Sequence, residues 1–471
     1  MSMNDREAST YELAVEVLVV GAGACGCTAA LAARGEGAQV MVLERDAAPS
    51  GNTALSGGQI PAAGSRLQKL AGINDAAQIL EEDLRTKAKG LSNQEVVKQV
   101  AGASGSTIDW LVEEHGVPLS CISNFIYPGH TVPHMHASPS RFGAEILASL
   151  LKAVYAEGID LVTSARVVDL YRDRSDRISG VRVQRPAGVF EDLGCRTLIL
   201  ACNGYGGNPE MVKKYIPEMA AAHYHGHPSN EGDAIRWGEA LGASLADMGS
   251  FQGHGAVCTP HNIHLGWPVI TEGGIQVNRS GLRFSNENEG YSEQALHVIR
   301  QRDHVAWTVW DQRCEDIAAQ MHSHQAAMEA GAIRQYESLV GLSSFIGCDE
   351  ATLQETCERV ESMCRGEVEC PWGRSFESHP PLVSPYYVAK VQGALFHTQG
   401  GLEVDQYARV LRSDGSPFDN LFAGGGAARG FSGPADWGYL SGSGLLSATV
   451  LGRFAGASAA KLVAANRTSS L

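Results

Sequence analysis

One stretch governs what this chain can become: Val15-Glu16-Val17-Leu18-Val19-Val20-Gly21-Ala22-Gly23-Ala24-Cys25-Gly26. An apolar, strand-like run ends in a GxGxxG turn. The small-residue segment Cys27 to Arg34 predicts a helix. The apolar segment Gln39 to Leu43 predicts a second strand, closed by Glu44. Strand, glycine turn, helix, strand and acid together form the dinucleotide-binding fingerprint in its required context. Gly21 permits the tight turn, Gly23 lets a pyrophosphate approach the backbone, and Gly26 lets the helix pack on the strand. The helix N-terminus offers unpaired N–H groups and a positive dipole end. Glu44 stands about 20 residues past the first glycine, where a carboxylate takes both ribose hydroxyls and disfavours a 2′-phosphate.

A length of 471 residues suffices for two or three domains with sizeable cores. The formal net charge of −15 argues against nucleic acid or an anionic membrane as partner. Eleven cysteines occur without a CxxC pair or a His/Cys zinc spacing, which points to free thiols in a reducing cytosol. The N-terminal stretch is polar and lacks the apolar core of a signal peptide. No segment approaches the roughly 18 uninterrupted apolar residues of a membrane span.

After the fingerprint, Pro49 to Gly58 reads as a loop whose backbone amides reach toward the bound nucleotide. Apolar spacing predicts helices over Ala76 to Lys89, Asn93 to Ala101, Ser104 to His115 and Glu145 to Glu157. His130, His134 and His136 are irregularly spaced, so they are expected to be solvated loop histidines and no metal site is expected. Strands follow from Asp160: Leu161-Val162, Arg166 to Tyr171, Ile178 to Arg185 and Thr197 to Ala201. The last breaks into a Gly/Asn turn, a second wall for an adenine dinucleotide. Residues 249 to about 394 differ in texture, and strand-to-glycine turns return at Gly400 to Asp405 and Leu421 to Gly426. The expected fold class is α/β. A Rossmann-like domain is built from both ends of the chain (1–248 and 395–471), with an α+β capping domain inserted at 249–394.

Several motifs occur in order: the fingerprint, the Gly51 to Gly58 loop, the turn at 198–207, Gly281-Leu282-Arg283-Phe284-Ser285-Asn286-Glu287, then Gly400 to Asp405, Leu421 to Gly425 and Leu445 to Gly456. This series resembles the flavoprotein family of soluble fumarate reductases, succinate dehydrogenase flavoprotein subunits and 3-ketosteroid dehydrogenases. The resemblance implies FAD as cofactor. The implied cofactor contacts are Gly21, Gly23, Ala24, Cys25, Gly26, Glu44 and Arg45, then Asn52, Thr53, Ser56, Gly57 and Gly58. Val167, Ala201, Asn203, Gly204, Asn208 and Asp233 follow, and Gly424, Gly425, Ser443, Gly444, Leu445 and Leu446 complete the set. Relatives that attach the flavin covalently carry a histidine where this chain has Gly51, so non-covalent FAD is expected. Family members commonly carry glutamate where Gly426 stands.

The same resemblance locates the chemistry. His254 and His397 align with two substrate-binding histidines of the reductases and are expected to face one cleft. The two substrate-binding arginines are replaced by Tyr291 and Tyr439. A phenol does not reproduce the paired, charge-assisted hydrogen bonds of a guanidinium. Two tyrosines there match the ketosteroid dehydrogenase branch, in which the first takes a proton beside a ketone and the second donates to the ketone oxygen. A phenol acts as base only where its neighbours lower its pKa from about 10. The expected reaction is desaturation of a cyclic ketone, steroid or monocyclic, with reduction of a carboxylated alkene as the alternative. Arg429 offers either a partner for a substrate carboxylate or an ordinary salt bridge. Tyr127 lies in a loop where ketosteroid dehydrogenases carry a further tyrosine. One fingerprint leaves no separate nicotinamide site, so a quinone, a carrier protein or oxygen is expected to take the electrons.

Overall fold

The computed structural model describes residues 11–468; the polar N-terminal reading for residues 1–10 lies outside them. The chain divides into two compact units: 1–211 with 226–251 and 397–471, and 212–225 with 252–396. The short stretch 212–225 thus joins the second unit, although it precedes the strand Phe251–Cys258 by some way in sequence.

In the first unit the strand Leu13–Val20 lies between Val40–Leu43 and Phe190–Leu200, parallel to both. Pro417–Ala423 adds on parallel to Phe190–Leu200, and Asp160–Val162 adds on parallel to Val40–Leu43. Side chains alternate between two cores. Leu18 and Val20 pack with Leu198 and Leu200 on one face, Val17 and Val19 with Val40, Val42 and Ile199 on the other. A central strand buried on both faces reads as the continuous apolar run seen in the sequence. Three parallel neighbours therefore end at one edge, each on a glycine turn: after Val20, after Leu200 and after Ala423. Such an edge is where open α/β sheets bind ligands.

Two helices close over this edge: Ala24–Gly35, from the fingerprint, and Ser443–Thr468. Their approach depends on small residues. At Gly26 a β-carbon would fall 1.8 Å from the Gly21 carbonyl oxygen. Gly21 itself has φ +105° and sits against the Ala201 carbonyl. We expect Gly26→Ala to purify without flavin, because neither backbone has room to move. Visible absorbance of the purified protein checks this, and a yellow Gly26→Ala protein contradicts it.

Two local expectations change. Asn93 to His115 is not two helices but one, Gln94–Glu113. Its small polar residues do not break it, because Ser104 and Thr107 donate back to the Ala101 and Ala103 carbonyls. Gly105 is there for close packing, since a β-carbon would meet the Ala63 carbonyl oxygen at 2.3 Å. The early loop contains a short helix, Gly51–Leu55.

The second unit is built on a seven-stranded sheet. Ile263–His264, Phe251–Cys258, Tyr386–Thr398, Val305–Asp311 and Ile275–Val277 run in that order. His223–Tyr224 and Ile333–Tyr336 also pair with Tyr386–Thr398. Its two faces carry separate apolar clusters, one around Trp310 and one around Leu353 and Phe376. No helix among the described residues is long and apolar enough to cross a membrane.

Candidate active site and cofactor cradle

The cradle in the first unit is tied together by side chains of the sequence-predicted set. Glu44 is buried and accepts the Ala22 N–H at 2.9 Å through Oε2 and the Asp46 N–H at 3.0 Å through Oε1. Its carboxylate thus borders the fingerprint turn and keeps lone pairs for further donors. Thr53 Oγ1 accepts the Ala24 N–H at 3.0 Å, joining the early loop to the first turn of the helix. Asn52 Oδ1 accepts from His227 N–H at 2.7 Å and from Asn230 Nδ2 at 2.9 Å. Arg45 donates to the Ser229 carbonyl, and Asn208 to the Glu231 carbonyl. The N-cap residue is Gly23, with no side chain to cap the helix, so beyond the Ala24 N–H held by Thr53 the first-turn N–H groups still point at the glycine edge.

Gly426 has a structural explanation. A β-carbon there would lie 2.1 Å from Asn203 Oδ1 and 2.9 Å from His397 Nε2. The two side chains fill the space a larger residue would need. His397 is half-buried by surface area, and desolvation pushes its imidazole down to about 4. Gln399 Nε2 lies 2.8 Å from His397 Nδ1. With the amide donating there, the neutral ring carries its proton on Nε2. His397 is therefore an uncharged donor beside the late glycine turn, with Gly444 next to its Cε1.

Tyr439 is buried at the end of a tightly held loop. Gly430 N–H donates to the Gln399 carbonyl at 2.7 Å, and Ser250 Oγ donates to the Ala435 carbonyl. Trp437 in the same loop lies under Lys89 Nζ, 4.1 Å from the ring centroid. Arg429 is not open to a substrate carboxylate. Its Nε lies 2.6 Å from Asp247 Oδ2 and its Nη1 3.0 Å from Glu403 Oε1, so two carboxylates already neutralise it. Tyr127 belongs to a small apolar cluster with Phe125, Ile122 and Met135.

In the second unit, His254 and Tyr291 come together. Their rings stack at 5.3 Å with an interplanar angle of 25°. Phe396 also stacks on His254 at 5.2 Å, and Trp267 and His264 approach edge-on. Burial holds the His254 imidazole well below its ordinary range, and neighbouring His264 and His225 reinforce this. The Ala256 N–H donates to His254 Nδ1 at 3.1 Å, which leaves the proton on Nε2. His254 is thus a second neutral donor.

The motif Gly281 to Glu287 anchors this stack from behind, with Phe284 packed against the cluster that holds Trp267. Glu287 is fully buried and accepts from Arg283 Nε at 2.8 Å, Arg283 Nη2 at 2.6 Å, Arg374 Nη1 at 2.9 Å and the Gln276 N–H at 3.1 Å. Burial opposes its charge, but the two guanidinium groups outweigh burial and hold its carboxyl down at about 2. The helix Tyr291–Ile299 starts just beyond this knot. Gln294 in that helix links to Ser285 and Gln276, and Ser292 Oγ accepts the Gly253 N–H at 2.8 Å. These bonds fix Tyr291 relative to the strand that carries His254. Arg374 is the member of the knot that sequence reading missed. It stands 87 residues from Glu287 and shares no local pattern with it.

Comparisons with known proteins agree with this cradle. Residues 16–444 match the family model described as FAD binding domain. A probable fumarate reductase of Shewanella frigidimarina is 28% identical over 448 residues, covering 95% of this chain and 75% of that protein. A 4-oxocyclohex-2-ene-1-carboxylate 5-dehydrogenase of Sinomonas cyclohexanicum is 25% identical, covering 96% of this chain and 95% of that protein. The open conformation of a flavocytochrome c3 fumarate reductase superposes with a TM-score of 0.82 at 27% identity, over 97% of this chain and 80% of that one. The glycine edge, the Glu44 carboxylate and the length of the family match lead to one assignment: the chain belongs to the FAD binding domain family and is an FAD-dependent oxidoreductase.

Proposed function

We propose that the enzyme dehydrogenates a cyclic ketone, placing a C=C bond next to the carbonyl. The observation that carries this reading is the state of the two histidines aligned with a dicarboxylate site and of Arg429, the further candidate partner for a substrate carboxylate. His254 and His397 are neutral Nε2–H donors, and Arg429 is neutralised by Asp247 and Glu403. Uncharged donors suit a ketone oxygen, on which charge develops only as the α C–H bond breaks. Tyr439 donates to that oxygen, with the histidines as further donors. Tyr291 receives the α-proton, and the electron pair of the α C–H bond forms the new C=C bond as the β-hydrogen leaves as hydride. FAD, when bound, supplies the acceptor for that hydride.

The likeness to a protein named for dehydrogenating an oxocyclohexene carboxylate supports this reading. So does the position of Tyr291 at the start of a helix, where the dipole favours negative charge by about 0.3–1 kcal/mol. Gly51, with no side-chain nucleophile, supports non-covalent FAD, which acid precipitation then releases. The eleven unpaired thiols support a reducing, cytoplasmic setting. Electrons leave to an external acceptor: a quinone, a carrier protein or oxygen.

A second reading is reduction of a carboxylated alkene, favoured by the likeness to fumarate reductases. Anaerobic addition of cyclohexanone-type ketones and 3-ketosteroids to the oxidised holoenzyme separates the two. Bleaching of the flavin band is expected. If no cyclic ketone bleaches it, while fumarate or another enoate reoxidises dithionite-reduced enzyme, the second reading replaces the first.

A further inference from the structure

The irregular loop at 121–140 holds a feature that the flavin chemistry does not use. Its histidines are not solvated, as their spacing led one to expect, but buried. His134 lies between two carboxylates, with Nδ1 2.8 Å from Asp75 Oδ2 and Nε2 3.0 Å from Asp83 Oδ2. Thr131 holds Asp83 in place through its N–H and its hydroxyl. His130 Nε2 lies 3.1 Å from the Ser441 carbonyl oxygen. A carbonyl only accepts, so the His130 proton sits on Nε2 and the lone pair on Nδ1. That Nδ1 is buried and has no hydrogen-bond partner, in a residue only 8% exposed.

One nitrogen from each of His130 and His134 and one oxygen of Asp83 lie within 4.8 Å of one another. We propose that Asp83, His130 and His134 bind one divalent transition-metal cation of the zinc type, with Asp75 as the positioning residue. Three facts converge on it. A buried lone pair without a donor is costly, and a cation removes that cost. Once His134 gives up its Nε2 proton, two carboxylates and two neutral imidazoles carry a charge that a divalent cation cancels. A carboxylate on the far nitrogen of a ligating histidine is the usual support of such a ligand, and Asp75 supplies it on His134 Nδ1.

Binding releases one proton, because His134 Nε2 exchanges its bond to hydrogen for a bond to the metal. The ligand atoms close in to about 2.0–2.2 Å from the ion, and a fourth position stays open to water. Gly129 and Thr131 on either side of His130 are exposed, which gives the ion a way in. The site bears on the flavin unit through His130. That residue holds Ser441, two residues past Tyr439, and a β-carbon on its neighbour Gly129 would meet Leu440 at 2.8 Å. The ion thus braces the segment Tyr439 to Ser441. The proposal is independent of the ketone reading.

The test is zinc titration of chelator-dialysed holoenzyme, followed by calorimetry, elemental analysis and thermal unfolding. Expected are one zinc per chain, a rise in melting temperature with zinc, and loss of stoichiometric binding in His130→Ala and His134→Gln. Asp75→Asn is expected to weaken binding about 10–100-fold. If His134→Gln does not fold, His130→Ala decides, since that ring makes a single recorded hydrogen bond. Two results overturn the proposal: a wild-type protein that takes up no zinc, so that a proton on His134 is the occupant, or zinc binding that His130→Ala leaves unchanged.

Discussion

Tyr291→Phe should retain its flavin and lose turnover by about 10²–10⁴-fold, the range for removing a general base. The substitution keeps the ring that stacks on His254 at 5.3 Å and meets Trp267 at 6.0 Å, and deletes only the hydroxyl. Packing in the second unit is therefore preserved, and a loss of activity reads as lost chemistry. Two measurements distinguish this from a change in binding. Flavin content, by absorbance, should stay at the wild-type level. Exchange of the ketone α-hydrogen in deuterated water should disappear together with turnover, because the same oxygen takes that proton. Turnover within about twofold of wild type would remove Tyr291 from the role of base, since general-base loss is far larger.

Glu287→Ala is the substitution expected to destabilise most. It leaves two guanidinium groups buried beside a hole. Breaking a buried ion pair from one side costs about 3–5 kcal/mol, because the remaining charge has no partner. Arg283 and Arg374 are 8% and 4% exposed, so water does not replace the lost carboxylate. Chemical denaturation should show the loss, and refolded or surviving enzyme should turn over more slowly, because the helix that begins at Tyr291 loses its anchor. The pH dependence has a definite sign. The folded carboxyl is held at about 2, below its unfolded value of about 4.3. Its contribution is fully present above the unfolded value and is lost as pH falls toward 2. Wild-type stability should fall over that acid window, and Glu287→Gln should flatten the part of the curve due to this group. An unchanged acid limb in Glu287→Gln would assign the acid loss to other carboxylates.

What could be read from the sequence was local. The run from Val15 to Gly26 names its own structure, because a doubly buried parallel strand is continuously apolar and the turn after it needs glycine at fixed positions. Glu44 and the turns at Asn203 and Gly424 lie at strand ends, so their place at one edge followed once the strands were identified. The tyrosines at 291 and 439 were visible only as substitutions within motifs.

The rest depended on distant residues meeting. Gly102-Ala103 reads as a helix break, yet the helix runs through it, and Gly105 serves a close approach to Ala63 that no local pattern records. Gly426 looked like a lost contact, and only the folded chain shows Asn203 and His397 occupying its space. Arg429 was ambiguous until Asp247 and Glu403 claimed it. His130 and His134 seemed solvated because metal-ligand spacing is recognisable only when the ligands sit on one element; here Asp75 and Asp83 come from a different part of the chain. Period and turn chemistry act over a few residues, so sequence alone settles strands, glycine turns and the nucleotide edge. Charge pairing and burial act through space, so which acid neutralises which base, and which histidine keeps a free lone pair, was decided by the tertiary structure.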